Sequence, residues 1–559
     1  MAWGRLYFGQ PYWGQSTAFA EVILVYTFIS ARAFIVHLKS KPGPSARARI
    51  LPSQAFQDEM AATTRELGGK LEIQWDGSSW VDETEYLVSA RANEELAKTS
   101  GEGIAATLDV ELDNTTERFT PDNDTSPIYT YLKPRVNIRI SIVAAGYTYR
   151  LFTGYIKNLH PNTRNRICSL ECFDNQVLVY NQKSNGVVYP NYRSDQLLEV
   201  LVNLAGLDSS QYVLDVGSHV INYGYFEDRN VWPLMGEIAV AERGRVFFDR
   251  DGILKFWNRD RLHNQSSITT LTLEDDIIDL DYSVAEHEIK NIVTVKAQPR
   301  AGTGTKQVWS NGDAQYLNPY SDTLIYVPAQ SSQVAFIELE DPLITAEPPV
   351  TDLDYTANSQ QDGEGTDLTG YIQIHEFINY GNAIFVNVIN LGSTDAYLTK
   401  FSIRGNPAVI QNWIRIRATD QPSVDLYGKQ ELEIENNFIE DETAATDIAL
   451  EELQRRKDSK NLFRISIVGT PYLLCGDIVN VEYRSGKFKE YMINQLDWVL
   501  DDGGFRQGLT LVNPYTFPEI KFVSARGYII KEAHLREVSA KANIVSIHAQ
   551  NVSAGAYII

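Results

Sequence analysis

The chain has 559 residues, 43% of them hydrophobic and 22% charged, which is too long for one core; roughly three to five domains are expected. Acidic residues outnumber basic ones 72 to 50, for a net charge of −22. This excludes a protein that wraps nucleic acid through Lys and Arg contacts to phosphate, yet suits a channel wall along which nucleic acid slides without sticking. Three cysteines, Cys168, Cys172 and Cys475, are too few for a disulfide framework and fit a reducing compartment.

Residues 1–67 read as an N-terminal arm and linker. "WGRLYFGQPYWGQ" is rich in Gly and aromatics without a steady period, as an extended arm that grips a neighbouring subunit would be. The apolar run "EVILVYTFISARAFIVHL" is strand-like and broken by Arg32, too short and interrupted to span a bilayer. No signal peptide and no stable membrane insertion are expected, so assembly inside the producing cell is the default. "KSKPGPSARAR" is a basic linker, and residues 53–67 suit a short helix.

Residues 68–190 read as a first β-barrel. In 107–113, Leu108, Val110 and Leu112 alternate with Asp109, Glu111 and Asp113; in "RVNIRISIV", Val136, Ile138, Ile140 and Ile142 alternate with Arg135, Asn137, Arg139 and Ser141. The complementary outer charges suit an antiparallel pairing of these two strands. Cys168, Leu170 and Cys172 share a face of "RICSLECFD"; four residues of strand span about 13 Å, beyond disulfide reach, so the thiols are core fillers.

Residues 191–284 change to a small α+β module. Leu197, Leu198, Leu201 and Leu204 have helical spacing, with Ser194 placed as N-cap. "VWPLMGEIAVAERG" suggests a second helix, and "RVFFDRDGILKFWNRD" a hairpin turning at "DRDG". The expected second β-barrel is discontinuous, residues 285–300 plus 425–515, and includes the helix "EDETAATDIALEELQRRKDSK", with acids at its start and bases at its end. Between its parts lies 301–424, read as an inserted β-sandwich whose stretch "TAEPPVTDLDYTANSQQDGEGTDLTG" is expected to be a mobile loop. Residues 516–559 carry a short repeat: "VSARGYII" from Val523, "VSAKANIV" from Val538, "VSIHAQN" from Val545 and "VSAGAYII" from Val552. A repeat this short cannot bury its own apolar face and implies stacking, most simply with other subunits. The fold class is thus mainly β with α+β portions, multidomain.

The stretch "TLDVELDNTTERFTPDNDTSP" at 107–127 crowds carboxylates and asks for a metal test. The residues that would hold an ion are Asp113, Asp122 and Asp124. "DNDTSP" lacks the sharp-turn Gly and closing Glu of a calcium loop, so the reading is the solvated face of a strand followed by its turn. The eight histidines are scattered, without zinc spacing. No G-x-S-x-G, Walker loop or G-x-G-x-x-G occurs, and nothing points to a glycosidase carboxylate pair among the 72 acids. No cofactor, catalytic residue or enzymatic activity is expected.

The 107–156 region, "ATLDVELDNTTERFTPDNDTSPIYTYLKPRVNIRI…YRLFTGYI", resembles the first block of the tail hub proteins of long-tailed phages, which pairs an "LDN…RF.P.N..SP" loop with an "L.PG..V.I" strand and an "LF.GYI" strand. "LKPRV" departs at the turn, where that family commonly has "LKPGR". "CFDNQVLVYN", "RGRVFFDRDGILKFWNRDR", "NIVTVKA", "YGKQELEIENNFIEDETAATDIALEEL" and "GDIVNVEY" follow in the family's order, over 85–290 and 425–512. The resemblance implies a homotrimer with two similar tube-forming β-barrels per subunit. Such a pseudo-sixfold ring adapts a hexameric tail tube to a threefold tip. It implies the tail tube proteins, the tape-measure protein and a central spike or fibre as neighbours, DNA passing through the lumen without specific binding, and a place at the virion tail tip after assembly in the host cytoplasm. Some relatives carry a cell-wall enzyme after the hub, for which 516–559 leaves no room. The arm and the 301–424 insertion lie outside the resemblance. A carbohydrate- or receptor-binding role of the sandwich, on a host surface glycan, is the alternative, and a cell-wall hydrolase the third reading.

Overall fold

The computed structural model describes residues 54–62, 67–95, 106–263, 265–282, 289–312, 326–457 and 463–514, together with the backbone of four strands, Glu21–Thr27, Ala33–Lys39, Phe522–Ser524 and Ala556–Ile558. The chain divides into two compact units, Pro52–Pro518 and the two ends together. In the end unit, Glu21–Thr27 pairs antiparallel with Ala33–Lys39, and Phe522–Ser524 with Ala556–Ile558. The first and last repeat copies therefore meet within one chain; the intervening copies and the aromatic segment of the arm lie outside the described residues.

The larger unit is mainly β. Its centre is a thirteen-stranded sheet. One half runs Leu87–Glu95, Thr107–Asp113, Ile167–Asp174, Tyr147–Asn162, Val136–Ala144, Gly68–Gln74 and Val81–Asp82 in spatial order; the other runs Lys487–Asp501, Gly504–Val512, Phe463–Val468 and Ile277–Tyr282. Ile478–Arg484 and Thr269–Leu271 extend this second half. The halves join where Gln495–Leu500 pairs antiparallel with Ala90–Glu95. The two β regions expected as separate barrels are thus parts of one sheet. One core runs through both, from Leu71, Ile138 and Cys168 in the first to Phe463, Leu496 and Trp498 in the second. Alternation dictates this: in Thr107–Asp113 every second residue is buried and the others face out.

The boundaries differ from the sequence reading in two places. Ile277–Tyr282 and Thr269–Leu271, assigned to the α+β module, are strands of the second half of the sheet. Ile292–Ala297, expected to enter the second barrel, lies between Ile414–Thr419 and Glu431–Glu435 in a separate three-stranded sheet. That sheet and the helix Glu442–Arg456 pack into the core of the α+β module, with Val293, Val295, Ile434 and Ile448 among its residues. A strand buried on both faces reads as a continuous apolar run and does not declare its partners. The outer charges of 107–113 misled in the same way. That strand pairs with Leu87–Glu95 and Ile167–Asp174, while Val136–Ala144 pairs with Gly68–Gln74, where Glu72 meets Arg139.

The α+β module contains the helices Ser194–Leu204 and Val231–Glu242 and the hairpin Arg245–Phe248 to Leu254–Trp257. Leu197, Leu198 and Leu201 are fully buried, while Leu204 is exposed. Ser194 is not the cap. It is the first helical residue, the cap position falls to Arg193, whose N–H donates to Gln196, and the Ser194 hydroxyl donates to the buried Glu242 carboxylate at 2.8 Å. The hairpin turns where expected: Gly252 has φ +78°, and the Asp249 carboxylate accepts from the amides of Asp251 and Ile253. In the Glu442–Arg456 helix, Asp441 caps the Ala444 amide, and Arg455 and Arg456 both reach Glu452.

Between Arg300 and Ile410 two sheets close on a third core, as a sandwich does. Ala396–Ile410 is the spine of one sheet, pairing with five shorter strands, and Ser331–Glu338, Ala383–Asn390 and Ile372–Asn379 form the other. Trp309, Phe401, Ile384 and Val386 fill the space between. The stretch expected as a mobile loop, 345–370, includes the end of the strand Leu343–Glu347 and the whole of Tyr355–Asn358, both paired to the spine. Asn358 and Asp354 supply the side-chain bonds that Pro/Gly composition alone does not suggest.

Candidate functional site

The acidic stretch builds a structural clamp. Asn114, just past the strand, donates to Thr120 Oγ1 at 3.0 Å and accepts from the Phe119 amide at 2.9 Å, winding the loop back on itself. Phe119 is thereby buried against Trp75 and Tyr86. Arg118 turns inward and meets the fully buried Glu83 through two parallel bonds, which Trp75 Nε1 completes at 2.8 Å. The Arg118 guanidinium also lies over the Tyr86 ring at 5.4 Å. Asn123 and Ser126 close the loop on the carbonyls of Glu117 and Arg118. Each polar residue of the "LDN…RF.P.N..SP" pattern therefore serves the loop's own geometry, Asp113 through Thr115.

The three candidate metal ligands are held apart. Asp113 accepts from the amide and hydroxyl of Thr115, which keeps its carboxyl below the ordinary range. Asp122 and Asp124 are exposed on the turn. Among the described residues no three His, Cys, Asp or Glu side chains converge as an ion would need. Asp109 faces out beside Glu171, and its carboxyl is pushed up by partial burial and by that neighbour. The thiols are buried, and burial pushes Cys168 up to about 12 and raises Cys172 and Cys475, which disfavours the thiolate. Glu83 and Trp75 escaped the sequence reading, because "VDETEYL" carries no spacing that marks one of its acids as buried.

A second set of arginines bolts the α+β hairpin onto the sheet. Arg250 is buried; it donates to the carbonyls of Pro471 and Leu473 and pairs with Glu94 at 2.9 Å. Arg245 donates to the Cys475 carbonyl at 2.6 Å and stacks on Phe247. These arginines fix the hairpin against the 471–475 loop and the strand Leu87–Glu95. The sandwich is seated on the same module. Its Gly381 lies against the Gly186 carbonyl, and Arg300 covers the Tyr225 ring at 4.7 Å while pairing with Glu227. Ion pairs and close backbone approach thus set the angles between sheet, module and sandwich.

Two surfaces among the described residues are an open strand edge and outward aromatics. The strand Ile277–Tyr282 is paired on one side only, among the described residues, and exposes Ile278. The sandwich presents aromatic residues outward on both sheets: Phe336, Phe385 and Tyr380 on one, Tyr326 and Tyr397 on the other.

No protein-family model and no curated protein matches this chain. Solved structures similar to it include the 43 kDa tail protein of prophage MuSo2 from Shewanella oneidensis, at TM-score 0.45 and 12% identity over 80% of this chain and 99% of that one. The tail protein from Neisseria meningitidis MC58 aligns at TM-score 0.42 and 11% identity, over 80% and 97%. Prophage tail protein gp18 from Listeria monocytogenes EGD-e aligns at 0.40 and 9%, over 79% and 94%. These three similar structures are tail proteins, and the chain itself is mainly β and multidomain.

Proposed function

We propose that this chain is a structural hub of a phage tail tip, three copies of which close a ring that joins the hexameric tube to the threefold tip. The observation that carries the reading is the seam Ala90–Glu95 with Gln495–Leu500, which makes two β regions one continuous wall. A wall of this kind ends in strands with unpaired edges, and Ile277–Tyr282 is such an edge, available to a neighbour. The ordered "LDN…RF.P.N..SP" and "RGRVFFDRDG" residues support the same reading, because they act as clamp and bolts of the wall. A trimer carries 3 × −22 = −66. Acidic walls repel a passing duplex and keep it mobile, and the tape-measure end and a spike or fibre are the expected neighbours at the two mouths. The role is non-enzymatic and virion-associated. Mass measurement and particle imaging of the purified chain, alone and with its tail partners, test this. A threefold ring with a lumen is expected, and a monomer under both conditions overturns it.

A second reading, carbohydrate or receptor binding through the sandwich, is favoured by the outward tyrosines Tyr326 and Tyr397. It is compatible with the first, since a hub can carry a binding domain. Binding of the intact chain to isolated host wall polysaccharide tests it, and absence of any binding removes it.

A further inference from the structure

On the six-stranded sheet of the sandwich, Tyr326 and Tyr397 are cross-strand neighbours with ring centroids 5.2 Å apart. The loop Ser359–Asp362 and Tyr397 border a shallow, widely open groove. The loop and Tyr326, the tyrosine that neighbours Tyr397, are each fixed by hydrogen bonds. Tyr326 donates its hydroxyl to Asp395 at 2.7 Å, and Asp395 in turn accepts from the Ala329 amide. The buried Asn358 ties the loop, donating to the carbonyls of Gly363 and Gly365 and accepting from the Gln360 amide. Ser359 Oγ accepts from the Thr366 amide at 2.8 Å.

The groups that face the groove are uncommitted. The amides of Gln360 and Gln361 and the Tyr397 hydroxyl form no side-chain hydrogen bond among the described residues. A rigid aromatic face beside planar amides and one carboxylate matches a sugar ring, whose C–H face packs on the tyrosine while its hydroxyls need both donors and acceptors. The charge selects further. Asp362 lines the groove, and Asp395 lies beside Tyr326. An anionic polymer would meet the Asp362 carboxylate, and none of the five residues that line the groove is an arginine or lysine that could receive it. We propose that the groove between Tyr397 and the Ser359–Asp362 loop binds a neutral saccharide. This rests on reading the sandwich as a carbohydrate-binding domain and names its site and ligand class.

The test probes the intact chain on a glycan array carrying neutral hexose and N-acetylhexosamine oligosaccharides beside uronic-acid and phosphodiester-linked glycans. Titration calorimetry with the best neutral binder follows. Neutral glycans should bind, Tyr397→Ala should weaken them about tenfold or more, and Gln361→Ala should weaken them measurably. Phe336→Ala, on the other sheet, should leave affinity unchanged. Gln361 is an exposed loop residue, so its variant carries the test if Tyr397→Ala does not fold. Binding confined to anionic glycans overturns the ligand class. Neutral binding that both groove variants leave intact overturns the site while keeping the sandwich as a binder, and absence of all glycan binding overturns both.

Discussion

Arg118 grips Glu83 with two parallel hydrogen bonds, Nε to Oε2 at 2.9 Å and Nη2 to Oε1 at 2.7 Å, although the residues are 35 apart in sequence. Glu83 has no exposed surface, so the guanidinium is its compensation for lost water. Arg118→Ala should cost about 3–5 kcal/mol in denaturant unfolding, because it leaves a buried carboxylate without its counter-charge, with only the Trp75 indole still donating to it. Arg118→Lys should recover only part, since an ammonium cannot form the fork. Asp122→Ala and Asp124→Ala should each stay within about 0.5 kcal/mol, and calcium should not shift the melting temperature of the wild type. A calcium-dependent shift abolished by either aspartate variant would restore the metal reading.

Arg250 reaches three acceptors from the hairpin turn, the Pro471 and Leu473 carbonyls and the Glu94 carboxylate. Arg250→Ala strands all three, at an expected cost of about 3–5 kcal/mol. Because this residue joins the α+β module to the sheet, the variant should also expose the 471–475 loop. Hydrogen exchange should rise there before it rises in the strand Thr107–Asp113, and uniform exchange would count against a bolt.

Acid should weaken the first half of the sheet through Glu72. The Arg139 hydrogen bond, assisted by Lys70 and opposed by burial, holds its carboxyl at about 2 against an ordinary 4.5. A depressed carboxyl contributes stability that is fully present above the unfolded value and is lost as pH falls from 4.5 towards 2. Glu72→Gln should therefore be less stable than wild type at neutral pH, and the gap should shrink across that window. A gap independent of pH would assign Glu72 a packing role only.

Gly381 has φ +85°, and a Cβ there would fall on the Gly186 carbonyl oxygen. Gly381→Ala should cost about 1–3 kcal/mol from strain and overpacking. The loss should appear as easier proteolysis between module and sandwich, while the sandwich core around Phe401 stays protected. Equal sensitivity throughout would show that the seat is not at Gly381.

Much of the local structure was legible without coordinates. Period-two alternation set the inner and outer faces of Thr107–Asp113 and of Val136–Ile140, but Ser141, expected on the outer face, is buried where a bulge shifts the register. Leucine spacing set the buried face of Ser194–Leu204, and "DRDG" set the hairpin turn. These features depend on neighbours a few residues away, where backbone sterics and solvent alone decide. The Asp113, Asp122 and Asp124 stretch could be read as strand face and turn for the same reason.

Partner choice was not legible. Nothing local tells Ile292–Ala297 to pair with Glu431–Glu435, or Leu87–Glu95 to pair with Lys487–Asp501. An apolar strand fits many neighbours, and the choice is made by loop closure and by which pairing buries both faces at once. The same holds for charge. Glu83, Arg245 and Arg250 look like surface residues in the sequence, and only the tertiary structure places them out of water, where pairing becomes obligatory.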